Sequence, residues 1–265
     1  MEWDVFAVRY ADRVARVRGD SFIFDDAHDA PHPMDYFFWI LRSGDRVIMV
    51  DTGYDQAEAD RRSRPILLDP VEALRPFGLT PEDIDTIIVT HLHYDHAGGL
   101  HLFPNAKLHM QAAEMAYATG PCMCHDTLQM PFTADHICEA VQRLYSGKVL
   151  FHDGDGQVED GVTVHCIGGH SRGLQAVRVR TAAGWLVLAS DAAHFYENLW
   201  ARKPFPIVVD LENMLSGFDR LGALASHRDL IVPGHDPLVR EWFPCENGLY
   251  RLSHGPSKPL PDTIP

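Results

Sequence analysis

The chain has 265 residues, 46% of them hydrophobic, enough to fill a substantial core. Its 37 acidic residues outnumber 23 basic ones, and the formal charge of −14 sets up a field that repels nucleic acid and anionic membrane surfaces. No run approaches the ~18 apolar residues of a membrane span, the N-terminus lacks a basic-then-apolar export pattern, and the five cysteines do not form a disulfide framework, so a reducing, cytoplasmic setting is expected.

In chain order, Val5–Val17 reads as a strand pair near a sheet edge. Phe22–Phe24 and the acidic, proline-containing Asp25–Met34 read as a long loop, with His28 and His32 at its surface. Phe22, Phe24, Met34 and Tyr36 flank this loop and offer either an apolar wall for a substrate chain or ordinary core. Tyr36–Leu41 and Val47–Val50 read as strands around a turn at Ser43-Gly44-Asp45. Pro70–Phe77 suggests a helix, and Thr80-Pro81-Glu82-Asp83 has the chemistry of a helix start. Gln111–Tyr117 and Asp135–Tyr145 are further helix candidates, closed by Gly120 and Gly147. After Asp210, the residues Leu211, Met214, Leu215, Phe218, Leu221 and Leu224 recur at threes and fours, which predicts an amphipathic helix lying on a sheet. From Ser253 onward four prolines fall in thirteen residues, and 253–265 reads as a loose tail on a single domain spanning 1–265.

The densest chemistry lies at residues 91–99, His-Leu-His-Tyr-Asp-His-Ala-Gly-Gly, directly after the apolar run Ile84–Val89. His91, His93, Asp95 and His96 are metal-ligand types, since neutral imidazole suits zinc and carboxylate adds charge neutralisation. Four ligands in six residues are too crowded for one tetrahedral ion, and two ions side by side fit better. Three more strand-like runs end in a ligand residue. Val162–Ile167 leads to His170, Trp185–Ala189 to Asp191, and Leu230–Val232 to His235. Strands that each deliver a ligand at one end describe a site along the rim of a sheet. Asp51, closing the strand Val47–Val50, reads either as a residue that holds a ligand histidine from behind or as a simple turn aspartate.

With these residues the chain resembles the metallo-β-lactamase-fold hydrolases from about Val47 to about Leu238. Within them it is most similar to the N-acyl-homoserine lactonases, through Asp51-Thr-Gly53, His91–Gly99, Gly168-Gly-His170, Ser190-Asp191 and Pro233-Gly-His235. Periodicity alone gives a layered α/β protein; the resemblance implies a four-layer αββα sandwich. It also implies two divalent ions, zinc by default. One is held by His91, His93 and His170, the other by Asp95, His96 and His235, with Asp191 shared. The implied reaction is lactone opening by a water activated between the ions, with Asp95 or Asp191 passing a proton to the leaving oxygen. A small-molecule lactone is the expected partner, neither nucleic acid nor membrane, and the resemblance is compatible with a homodimer.

The chain departs from the family at one position. Many homoserine lactonases carry a tyrosine three residues after the bridging aspartate, where this chain has His194. His194 is a candidate to donate the same hydrogen bond to substrate, Tyr196 is a second candidate, and orienting a neighbour is a third role for His194. The exact substrate is therefore open. A glyoxalase II-like thioesterase and an aryl-ester, carbamate or cyclic-amide hydrolase are alternatives on the same scaffold, as is a non-catalytic sensor. The sensor ranks last because all seven ligand positions are filled. Cys122-Met-Cys124-His125 lacks the second cysteine pair of a zinc site and reads as a mobile segment lining or covering the pocket. His101, His109, His136, His152 and His165 have no evident partner in the sequence, and alternation turns His165 away from the core residues beside it.

Overall fold

The computed structural model describes residues 1–261. Strands β1 (Asp4–Arg13), β2 (Met34–Ser43), β3 (Arg46–Val50), β4 (Thr86–Ile88), β5 (Lys107–Gln111) and β6 (Val149–His152) lie side by side in that order. The following strands, β7 (Gly156–Glu159), β8 (Val162–Cys166), β9 (Gln175–Thr181), β10 (Gly184–Ser190) and β11 (Ile231–Pro233), make a second sheet in the order β11-β10-β9-β8-β7. The short strands β12 (Cys245–Glu246) and β13 (Leu249–Arg251) then return to the first sheet, where β13 pairs antiparallel with β1. The N-terminal segment is therefore one ten-residue strand covered by the C-terminus, not the edge strand pair expected from sequence.

Helices follow the strands. β3 to β6 are parallel neighbours, a geometry that requires crossovers. The crossovers carry α1 (Gln56–Arg62), α2 (Tyr94–Ala97), α3 (Ala112–Ala118), α4 (Asp126–Gln129) and α5 (Ala134–Tyr145). In the second sheet α6 (Tyr196–Trp200) and α7 (Leu211–Leu224) form the crossover from β10 to its parallel neighbour β11, and α8 (Leu238–Trp242) follows β11. Side-chain alternation on β2 sorts the core. Phe37, Trp39 and Leu41 face Val177, Val179, Leu186 and Leu188 of the second sheet. Tyr36, Phe38 and Ile40 share the opposite cluster with Met115 of α3 and Ala140 of α5. On the far side of the second sheet, Ala176, Val187 and Ala189 pack on Leu221 of α7. The four layers αββα follow from these three clusters. Each fully buried large side chain in them contributes roughly 1.5–3 kcal/mol.

Two local expectations change. The segment Pro70–Phe77 forms a 3-10 turn over Glu72–Phe77, because Pro76 inside it lacks the N–H an α-helix needs. The tail is not loose as far as it is described: Leu260 is buried in the inter-sheet core, its N–H bonds the Asp229 carboxylate, and Ser257 N–H donates to Trp242 O. Residues 262–265 lie outside the described range. No helix among the described residues is long and apolar enough to cross a membrane.

Candidate metal centre

The C-terminal ends of β3, β4, β10 and β11, with the loop after β8, meet at one rim. His91 follows β4, His93 is the N-cap of α2, and Asp95 and His96 sit on its first turn. His170 follows two glycines with positive φ, Gly168 at 71° and Gly169 at 85°. A Cβ on Gly169 would stand 2.7 Å from the Met214 backbone, so only glycine lets this loop lie on α7. Asp191 and His235 follow β10 and β11, which are parallel neighbours. Asp51 and Ser190 hold left-handed backbone at φ 61° and 47°, strain of about 1–3 kcal/mol each that collects at this rim.

Hydrogen bonds from behind fix how the imidazoles point. His96 Nδ1 donates to Asp51 Oδ2 at 2.7 Å, His170 Nδ1 to Ile207 O at 2.7 Å, and His235 Nδ1 to Asp35 O at 2.8 Å. Carboxylates and carbonyls only accept, so each Nδ1 carries the proton and each Nε2 is a bare lone pair. His91 follows the same logic: the Thr90 hydroxyl spends its proton on Asp51 Oδ2 and accepts from His91 Nδ1 at 3.1 Å. The bare nitrogens converge on Asp191. Its Oδ1 is 3.1 Å from His235 Nε2 and 3.2 Å from His96 Nε2, while its Oδ2 is 3.2 Å from His170 Nε2 and 3.8 Å from His91 Nε2. Asp95 Oδ2 lies 3.8 Å from His235 Nε2 and 3.9 Å from His96 Nε2.

Lone pairs facing carboxylate oxygens at these distances repel one another unless a cation lies between them. His91 Nε2, His96 Nε2 and Asp191 Oδ1 are buried with no hydrogen-bond partner, as expected of atoms that serve to bind a metal ion. Burial and neighbouring imidazoles hold His91 and His93 well below the usual imidazole range, so both are neutral donors. Burial opposes charge on His96 too, but Asp191, Asp51 and Asp95 outweigh it and hold its pKa well above the usual value, a measure of how strongly the site attracts positive charge. The donor atoms sort into tight groups: His91, His93 and His170; Asp95, His96 and His235; and His91, His96 and Asp191, which joins the first two. The residues fit a pair of metal ions.

The site opens into a cavity of about 270 Å³ whose walls include Met34, Tyr36, Tyr94, Met130, Pro131 and Ile207. Met34 thus lines it as anticipated, but Phe22 and Tyr196 do not. Phe22 packs on His32 and Phe195 beneath the early loop, and Tyr196 is enclosed by Trp200 and Trp242 in the inter-sheet core. Phe24 is 93% exposed. His28 is exposed, while His32, expected at the surface, is tucked against Phe195 and bonds Ser21 Oγ at 2.9 Å.

His194 lines the cavity, with Nε2 2.9 Å from Asp191 Oδ2 and its ring stacked 3.7 Å from Phe205. Burial pushes its pKa down to about 3, against the pull of Asp191. A neutral imidazole has one proton, here committed to Asp191, so in this geometry His194 orients the shared carboxylate and leaves Nδ1 as an acceptor.

The segment Pro121–Cys124 is a short 3-10 turn, and Met123 faces a neighbouring cavity; Met130 and Pro131 further along reach the metal pocket. The remaining histidines find partners elsewhere: His101 with Asp55, His136 with Glu58, His109 with His152, and His165 with Asp155 and Thr163.

Several residues of the site were not found from sequence. Thr90 has no signature beyond preceding His91. Glu114 of α3 is buried and accepts from Leu92 N, Ser171 Oγ and Gly173 N, tying the His91 loop to the His170 loop. The cavity also carries Arg13, Arg16, Arg62 and Arg64. Their signal was visible, since Arg61-Arg62-Ser63-Arg64 and Arg13 to Arg18 are basic clusters in an acidic chain.

An αββα sandwich with a rim of inward lone pairs around one buried carboxylate defines a metal-binding protein of hydrolase architecture. The metallo-beta-lactamase superfamily model matches residues 34–254, and the chain belongs to that superfamily. It is 28% identical over 214 residues to an N-acyl homoserine lactonase of Bacillus cereus, covering 75% of this chain and 80% of that protein. Among solved structures it resembles an N-acyl homoserine lactone hydrolase with the product N-hexanoyl-L-homoserine bound at its catalytic metal centre. That likeness has TM-score 0.74 and 23% identity and covers 91% of this chain and 96% of the other. It also resembles AidC, a dizinc quorum-quenching lactonase, with TM-score 0.68, 19% identity, and coverage of 94% and 90%.

Proposed function

We propose that the chain is a metal-dependent lactonase that opens N-acyl homoserine lactones or similar small lactones to hydroxy acids. The observation that carries this reading is Asp191, whose two oxygens each face bare Nε2 atoms of different histidines at the floor of a small cavity. We assign His91, His93 and His170 to one ion, Asp95, His96 and His235 to a second, and Asp191 to both; the donor set favours zinc. When bound, such a pair makes water nucleophilic near neutral pH and polarises the ester carbonyl.

The chain's own groups hold and move the rest. Asp51, Thr90, Ile207 O and Asp35 O fix the imidazole tautomers, and His194 steadies Asp191. Asp95 lines the cavity beside His235 and is placed to take a proton from the attacking water. The water's oxygen bonds the acyl carbon, the acyl carbon–ring oxygen bond breaks, and Asp95 returns the proton to the leaving oxygen. Met34, Ile207 and Pro131 give the cavity an apolar wall beside the reacting carbonyl. The free cysteines support a reducing, cytoplasmic placement.

The test is acid release by zinc-loaded protein on N-hexanoyl homoserine lactone, a plain γ-lactone, an aryl ester and S-lactoylglutathione. Turnover of the lactones, abolished by chelation and restored with about two zinc ions per chain, is expected. Turnover of the ester or thioester alone overturns the lactonase reading.

A further inference from the structure

The cavity over the metal centre is walled by four guanidinium groups in a chain whose net charge is −14. Among the described residues its only acidic lining residues are Asp95 and Asp191, both assigned to metal, and neither forms an ion pair with an arginine. Arg62 has structural work: it pairs with Glu58, donates to Met130 O at 3.2 Å, and lies 3.8 Å from the Tyr94 ring centroid. The others are less committed. Arg64 stacks 5.0 Å from Tyr94 and 6.0 Å from Tyr36, and among the described residues neither its guanidinium nor that of Arg13 has an acidic partner.

Arg16 is the most informative. Only 6% exposed, it donates from Nη2 to Asp20 O at 2.7 Å, and the Asp20 carboxylate stays 4.0 Å from Nε. Its Nε and Nη1 are buried with no hydrogen-bond partner. Buried donors left unpaired are costly and rare in folded proteins, and one that lines a ligand cavity is naturally satisfied by the ligand. Burial also pulls this guanidinium below its ordinary range, the direction that an incoming anion would reverse.

Resting on the lactonase reading, we propose that the preferred lactone carries an anionic oxygen group, carboxylate or phosphate, gripped by Arg16 with Arg13 and Arg64 while the ring carbonyl sits at the metal floor. Arginine suits both anions because its planar fork meets two oxygens at once. The cavity, about 270 Å³, lies just below the roughly 300–1,000 Å³ usual for small-molecule sites. That size fits a compact charged lactone better than one with a long acyl tail, and the apolar strip of Met34, Met130 and Ile207 suits the short linker between the two ends.

The experiment compares one γ-lactone bearing a carboxylate, a phosphate ester or a neutral amide at the same position, using zinc-loaded protein. Ring opening releases the same new carboxylate from all three, so the ratio of kcat/KM reads only the extra anion. A charge-assisted contact predicts at least one anionic form ahead of the amide by about 30-fold, and the larger ratio identifies carboxylate or phosphate as the source. In Arg16→Met and, separately, Arg64→Met, that ratio should fall about tenfold or more. Both rates come from one preparation, so any misfolded fraction cancels. Amide and anions turned over equally well would overturn this inference and leave the lactonase reading standing. A ratio unmoved in both variants would overturn the assignment of the arginines. Turnover of none of the three while N-hexanoyl homoserine lactone is opened would overturn this inference alone; silence on all four would sink the lactonase reading with it.

Discussion

At the scale of single residues the metal centre is organised from behind. Each lone pair points inward because a specific acceptor holds the opposite nitrogen. Asp51 does this for His96 and, through Thr90, for His91. Asp51→Asn is therefore expected to weaken zinc affinity about 10–100-fold, read by competition with a chromogenic chelator, with little change in the far-UV spectrum. Asp191→Asn removes the one group whose two oxygens serve both halves of the site. Zinc content near one ion or fewer per chain and activity lower by roughly a thousandfold are expected; wild-type rates with full metal would refute the shared role. His194 gives a pH prediction. Its pKa of about 3 means it stays neutral throughout pH 5–9. The shape of the kcat/KM profile in that range should therefore survive His194→Gln even as kcat drops. A limb near pH 6 that vanished in the variant would show His194 titrating instead.

At the scale of elements, the side chains that the structure gathers at the rim were legible because they are rare residue types placed at strand ends. His91–His96, His170, Asp191 and His235 each follow an apolar run or a glycine pair. The amphipathic repeat of Leu211–Leu224 announced α7 for the same local reason. The N-terminal strand did not read correctly, because its burial is set by β13, about 240 residues away in sequence, and local alternation cannot report that partner. Tyr196 was misplaced because sequence proximity to Asp191 does not show that α6 turns it toward Trp242. One residue of the early loop, His32, was misread in a testable way. His32 is wedged between Phe22 and Phe195, and burial, aided by Arg18 and Arg16, lowers its pKa to about 4. The unfolded chain, titrating near 6.5, then binds more protons than the folded one between pH 6.5 and 4. Stability contributed by neutral His32 is thus full above 6.5 and lost as pH falls toward 4. After discounting for the ring's partial water contact, the loss is roughly 1–2 kcal/mol. Urea midpoints measured at pH 7 and pH 4.5 should fall less in His32→Phe than in the parent; equal falls would place the acid sensitivity elsewhere.

At the scale of the whole molecule, the centre draws on both sheets. His91, His93, Asp95 and His96 follow the first sheet through β4, while His170, Asp191 and His235 follow strands β8, β10 and β11 of the second. Metal bound as proposed would therefore staple the two halves of the sandwich at one rim, where the carboxylates and inward lone pairs otherwise repel. A ligand that binds only the folded chain stabilises it by about 4 kcal/mol when present at a thousand times its dissociation constant. For domains of up to ~250 residues each kcal/mol moves the melting temperature by roughly 2–4 °C, so removing zinc should lower Tm by about 10 °C. Calorimetry of chelated and zinc-restored protein checks the shift. The same comparison in Asp191→Asn is the sharper arm, because that variant keeps ligands on both sheets and loses only the carboxylate they share. If Asp191 couples the halves, chelation should move the variant's Tm by much less than the parent's. An undiminished shift would mean that the residues each ion takes from both sheets hold the rim together without the shared carboxylate.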